Sequence, residues 1–447
     1  MNGTPLTQRD YFGSLADALC EETPGAERVT LFVQAEASDF LRFNHAALRQ
    51  ATHVTQSHAT VAVVDGGRKA ESTVTLTGRP TDDIAALHRE RAGLLSMLAD
   101  VPEDPYLLLP EVVVSSERDE AGALPAPPAV IDAVATHASG TDWVGFYAGG
   151  PVVRAFADSR GQRNWHRVES FQIEWCLYQA QDKAVRSAYA GTQWSDAEFA
   201  GRIDAGRQRV ALLAQPASSL APGAYRAYLA PAAMSEMIDI LGWSGFGLKD
   251  RRSGTSSLMR LAHGDAALDA RMHLSEATAL GVAPAFTADG FTRPDRVPLV
   301  SAGRAAETLT SPRSAREFGV PANGAIAQES PESLRLEPGT LPQADALAAL
   351  DDGLYISNLW YLNYSDRQAC RMTGMTRFAC FRVEHGALVA PLNVMRFDDS
   401  FLRLFGDGLI ALTDTAEQFI GTDTYERRQL SSVSTPGAIV EGLNLTL

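Results

Sequence analysis

Glu236 and Asp239 sit three residues apart in the stretch MSEMIDIL, residues 234–241. On a helix that spacing makes two carboxylates neighbours. A pocket that drove their pKa values apart would turn them into a general acid and a general base. The same stretch has a plainer reading. Met234, Met237, Ile238 and Leu241 recur at i, i+3, i+4 and i+7, which is one apolar helix face. Acids near the start of a helix are also favoured by its dipole. On these residues alone, a packed helix with a polar outer side is favoured over a catalytic pair.

Other chemistries are excluded more firmly. None of the nine histidines is followed by glutamate, so neither His-Glu-x-x-His nor His-Glu-x-x-x-His exists here. Those motifs place two zinc ligands and a glutamate base on one helix. His53 and His58 are five apart, which suits neither one helix face nor one strand face, and they read as exposed turn or strand-edge residues. His263 and His273 flank a polar loop with no third ligand in view. ADSRG, residues 157–161, lacks the first glycine of a nucleophile elbow, and a strand pattern follows it where an elbow needs a helix. Ser159 is therefore expected in a hairpin turn. GWSGFG, residues 242–247, has the wrong glycine intervals for a dinucleotide loop. Cys20, Cys176, Cys370 and Cys380 form no C-x-x-C pair and read as reduced thiols.

The 447 residues suggest two or three domains. A net charge of −15 argues against nucleic acid as a partner, since phosphate binding needs clustered Lys and Arg. The N-terminus has no basic region followed by an apolar one, and no apolar run is long enough to span a bilayer. A cytoplasmic protein with no membrane contact is expected.

These residues need elements to hold them. An amphipathic helix is predicted over 8–22, strands over 28–36, 39–44, 59–65 and 71–78, and a helix over 82–99. Gly66-Gly67 should close a hairpin. Residues 110–128, rich in charge, Ala and Pro, read as a linker. A helix near 128–138 and strands over 141–150, 151–159 and 167–179 follow. Ser195 and Glu198 form a capping box that opens a long helix with Phe199, Ile203, Val210 and Leu213 inward. Beyond 222, Gly and Pro punctuate short strands, with 282–345 read as irregular cover. The expected fold is α+β: a unit over 1–110, a second over 111–221, and a β-rich third over 222–447 with one prominent helix.

Read in order, several segments resemble the TldD/PmbA family, on its PmbA (TldE) side. They are SDFLRFNHAALRQ (38–50), FADSRGQRNWHRVESFQI (156–173), PGAYRAYLAPAAMSEMIDIL (222–241), DDGLYISNLWYLNYSDRQACRMTGM (351–375), FRVEHGALVAPLNVMRF (381–397) and STPGAIVEGLNLT (434–446). The resemblance implies a heteromeric zinc metallopeptidase. Its TldD-type subunit carries His-Glu-x-x-x-His on the first helix of the third domain and a cysteine ligand near the C-terminus. MSEMIDIL occupies that helix here. The register sets Ser235-Glu236 at the His-Glu position and Ile240 at the second histidine, and no cysteine follows Cys380.

The resemblance therefore implies a non-catalytic subunit with no metal of its own. Zinc would belong to a TldD-like partner, in a heterodimer or larger assembly, with a peptide as substrate. Ser235, Glu236, Asp239 and Ile240 become degenerate ligand-helix positions. The segment ISNLWYLNYSDRQACRMTGM (356–375) is bulkier than the family's Gly- and Asn-rich stretch. Asn358, Trp360, Tyr361, Tyr364 and Arg367 either shape a peptide cleft or pack in the β-domain core. Both general proteolysis and the maturation of a modified peptide fit this reading. Two other classes stay open: a stand-alone peptide-binding homodimer without hydrolysis, and an enzyme using Glu236 and Asp239.

Overall fold

Strand β1 (Arg28–Asn44) is built from alternation, and so is the sheet around it. Val29, Leu31, Val33 and Ala35 are buried on one face, while Gln34 and Glu36 point to the other. The computed structural model describes residues 4–21, 23–180 and 183–446. Glu22 and Leu447, which fall inside expected elements, lie outside them.

β1 pairs antiparallel with β2 (Ala47–Asp65), which turns through Gly66-Gly67 into β3 (Arg68–Thr75). After β4 (Ser116–Glu120) come β5 (Asp142–Asp158), β6 (Arg163–Ala180) and β7 (Lys183–Gly191). The seven strands form one sheet in the order β3-β2-β1-β5-β6-β4, with β7 also on β6. β4 and β7 share one edge of β6, along residues 164–168 and 171–180 respectively.

Four helices cover one face of this sheet. Helices α1 (Arg9–Leu19) and α2 (Pro80–Met97) bury Leu15, Leu19, Leu87 and Leu94 against Val29, Val61 and Ala155. Towards the other end, α3 (Pro127–His137) and α4 (Asp196–Leu213) bury Val130, Phe199 and Ile203 against Trp143 and Trp175. Ser195 caps α4, its Oγ accepting from the Glu198 N–H at 3.3 Å.

Several expectations are revised, including the separate strands over 28–36 and 39–44, which are the single strand β1. The boundary placed at residue 110 crosses a single hydrogen-bonded sheet, because β1 pairs with β5 from Thr30–Asp158 to Phe43–Gly145. The linker read over 110–128 contains β4, a parallel partner of β6. Strands 141–150 and 151–159 are one strand. Gly149-Gly150-Pro151 does not break it, because Gly150 takes φ +135°, where a Cβ would lie 2.2 Å from the Ala37 carbonyl oxygen.

The uncovered face of the sheet meets the third part of the chain. Val152 and Val168 pack against Val282, Ile420 and Leu430. Arg428 is buried there. Its Nη1 donates to the Gly150 carbonyl at 2.9 Å, and its Nη2 to the Ser170 carbonyl at 2.8 Å. Burial pulls this guanidinium down to about 10, with Glu36 acting in the opposite direction.

The third part holds two more sheets, of six and nine strands. The nine-stranded sheet runs through β8 (Gly223–Leu229) and the closing strand Ala438–Leu445. The other includes Ser333–Leu336 and Ser432–Thr435, with Glu417–Ile420 at its edge. Short strands at Val297–Ser301 and Ser333–Leu336, and a helix at Pro312–Phe318, occupy the region read as irregular cover. Helix α5 (Pro231–Asp239) follows β8. Met234, Met237, Ile238 and Leu241 are fully buried in a cluster drawn from both sheets, including Leu229, Leu334 and Phe397. The architecture is α+β. No helix among the described residues is long and apolar enough to cross a membrane.

Arg428→Met should destabilise the protein by about 2–4 kcal/mol, because it strands the Gly150 and Ser170 carbonyls in a buried layer. Urea unfolding would measure this. A loss under about 0.5 kcal/mol would show that the layer does not depend on Arg428.

Candidate functional site

The polar face of β6 supplies one wall of the site. Gln172 and Glu174 share that face, while Phe171, Ile173 and Trp175 point into the core under α4. Their cross-strand neighbours on β7 are Ala190 and Ala188, whose short side chains leave space above the sheet. Helix α5 supplies the facing wall through Ser235, Glu236 and Asp239, and the edge strand Glu417–Ile420 adds Phe419. Between them lies a cavity of about 720 Å³. β7 and Glu417–Ile420 both run along sheet edges, where strands carry unpaired backbone groups.

Glu236 is tied down on both oxygens. Oε2 accepts from the Leu359 N–H at 2.6 Å, and Oε1 from Arg186 Nη1 at 3.3 Å. Arg186 also donates from Nη2 to Glu174 Oε2 at 3.2 Å, and it lies over the Phe378 ring. One guanidinium on β7 therefore joins a carboxylate of the sheet to a carboxylate of α5. Burial disfavours the charge on Arg186, but Glu236 and Glu174 outweigh it and hold the guanidinium above its usual range. Burial pushes the Glu236 carboxyl up to about 7, against the pull of Arg186, the Leu359 N–H and Asn358. A quarter of its side chain stays accessible, and that residue lines the cavity, so it is screened from bulk water but open to a ligand.

The other expected positions separate. Asn358 is buried and lines the cavity. Asp239 lines it too, exposed at the cavity rim, with partial desolvation raising its carboxyl and no partner among the described residues. Ser235 Oγ donates to the Ala232 carbonyl within its own helix, at 2.8 Å. The Ile240 side chain is buried, and its carbonyl accepts from the Tyr364 hydroxyl at 3.0 Å. Arg367 stacks on Tyr364, and Arg377 on Trp360, while Tyr361 is exposed at φ 58°. Trp360, Tyr361, Tyr364 and Arg367 do not line the cavity. Tyr364 packs against the core cluster and braces the end of α5, so its aromatic bulk is structural.

Sequence reading missed Gln172, Glu174, Arg186 and Trp243. The polar alternation along β6 was a visible signal for the first two. The pairing of Arg186 with Glu236, fifty residues apart, left no local trace.

The donor set does not suit zinc. No histidine or cysteine lines the cavity among the described residues, and Glu236 is already engaged by two donors. Burial pushes the Cys370 and Cys380 thiols up to about 12, away from the thiolate form that binds metal. Asp351, Asp352 and His385 bring ligand atoms within 4.8 Å of one another, but they are exposed and do not line the cavity.

Residues 222–447 match the PmbA/TldA metallopeptidase C-terminal domain, and the chain belongs to the PmbA/TldD family. TldE from Thermococcus kodakarensis shares its fold, with a TM-score of 0.75, 12% identity, and coverage of 94% of this chain and 97% of that one. A protein described as a modulator of DNA gyrase, from Bacteroides thetaiotaomicron, matches with a TM-score of 0.74, 14% identity and 98% coverage of both chains. A second protein so described, from Thermotoga maritima, gives a TM-score of 0.71 and 12% identity over 94% of this chain and 96% of that one. No curated protein matches the sequence.

Glu236 binds its proton more tightly when folded than at its ordinary value of 4.5. The stability this contributes is full below about pH 4.5 and is lost as pH rises through about 7. Between about pH 5 and pH 8, wild type should lose roughly 1–3 kcal/mol relative to Glu236→Gln. Urea unfolding of both proteins across that range checks this, and parallel pH profiles would contradict it.

Proposed function

We propose that this chain is the non-catalytic subunit of a PmbA/TldD-type metallopeptidase complex. Zinc and its ligands come from a TldD-like partner, and this chain supplies chamber wall and peptide-holding surface. One observation carries the reading. The helix that would present the catalytic ligands instead presents a glutamate held by Arg186 and the Leu359 N–H, in a cavity wall without histidine or cysteine. Each oxygen of Glu236 already accepts one hydrogen bond, which ties the side chain to Arg186 and the Leu359 N–H. The edge strands bordering the cavity suit an extended peptide, which would add to an edge through main-chain hydrogen bonds.

The test is co-expression with a TldD-like protein from the same genome, followed by peptidase assays on an unfolded peptide. Hydrolysis should require both chains. Glu236→Gln in this chain should leave kcat within about twofold, whereas loss of a catalytic base costs about 10²–10⁴-fold. Hydrolysis by this chain alone, or loss of activity in an intact Glu236→Gln complex, would overturn the proposal. A stable homodimer that binds peptide and forms no complex would favour the stand-alone binding reading.

A further inference from the structure

The cavity has a charge preference that the partner-subunit reading does not supply. Three carboxylates line it, those of Glu174, Glu236 and Asp239, against one guanidinium, that of Arg186. Arg186 is spent on Glu174 and Glu236. Asp239 keeps no partner among the described residues. A second, independent feature points the same way. Gln172 is only 4% exposed and lines the cavity, yet its side chain has no hydrogen-bond partner among the described residues. With no protein partner, this amide faces the cavity, where a ligand or water can complete it. Trp243, also in the lining, is 57% exposed and offers a ring face.

We propose that this cavity takes a cationic group of an extended peptide, an alkylammonium or a guanidinium. Asp239 is its counter-ion, the Gln172 carbonyl oxygen an acceptor for its N–H groups, and Trp243 a cation–π face at the rim. The inference rests on the peptide-holding reading above and adds a substrate class to it. The cation could be a Lys or Arg side chain or a free peptide amino terminus.

Fluorescently labelled pentapeptides binding to the full-length chain decide the matter. One series keeps the N-terminus acetylated and varies the central residue among Lys, Arg, norleucine and Glu. A second compares free and acetylated amino termini on an all-neutral peptide. The Lys and Arg peptides, or the free amino terminus, should bind at least about tenfold tighter than the neutral and acidic peptides. Asp239→Asn should reduce that advantage to under about twofold, with an unchanged urea-unfolding midpoint showing that the fold is intact. Which series responds identifies the source of the cation. Equal binding of all peptides, or a preference that survives Asp239→Asn, would overturn the charge preference and leave peptide holding in place. No binding by any peptide would overturn both.

Discussion

Arg186 is the contact on which the cavity depends. It stands on an edge strand of the N-terminal sheet and reaches a carboxylate on its own sheet and another on the first helix of the third part. Partly buried charges are tolerated only when paired and hydrogen-bonded, and here each is. The tie fixes the distance between sheet and helix, and the small Ala188 and Ala190 turn that distance into space. Glu236 is held in place by a guanidinium and a backbone N–H, while burial raises its carboxyl to about 7.

The same logic extends over the uncovered face of the sheet. One face is apolar and closed by four helices, as alternation demands. The other carries Glu36, Arg154, Ser170, Gln172 and Glu174, and the third part supplies polar partners to Glu36, Arg154 and Ser170 through Arg428. Arg428 closes one end of that layer and Arg186 borders the other. The cavity is the stretch of the layer that protein groups do not fill.

Local signals in the sequence were read well. The Ser195–Glu198 cap, the Gly66-Gly67 turn and the apolar face of MSEMIDIL are each set by neighbours within a few residues, and each is present. Non-local pairing was not legible. The pairing of β1 with β5 joins residues more than a hundred apart, so composition suggested a boundary where the backbone hydrogen bonds cross. Gly149-Gly150-Pro151 looked like a break because its chain neighbours cannot reveal that the Ala37 carbonyl needs the room. In the site, Glu236 and Asp239 were visible from their helix and Asn358 from its segment. The alternation of β6 marked Gln172 and Glu174 as a polar face, but that they form a site with Arg186 was not legible, because it comes from their meeting across elements. Trp360 and Tyr361 drew notice for their size yet stand outside the cavity, which is set by small residues on β7 rather than by large ones.

The central claim is that this chain holds no catalytic metal of its own. Its most direct test is the zinc content of the full-length chain, purified alone without chelators and measured by elemental mass spectrometry. The account predicts well under about 0.1 zinc per chain, as a donor set without imidazole or thiolate requires. Close to one zinc per chain, removable by a chelator and restored by added zinc, would contradict it.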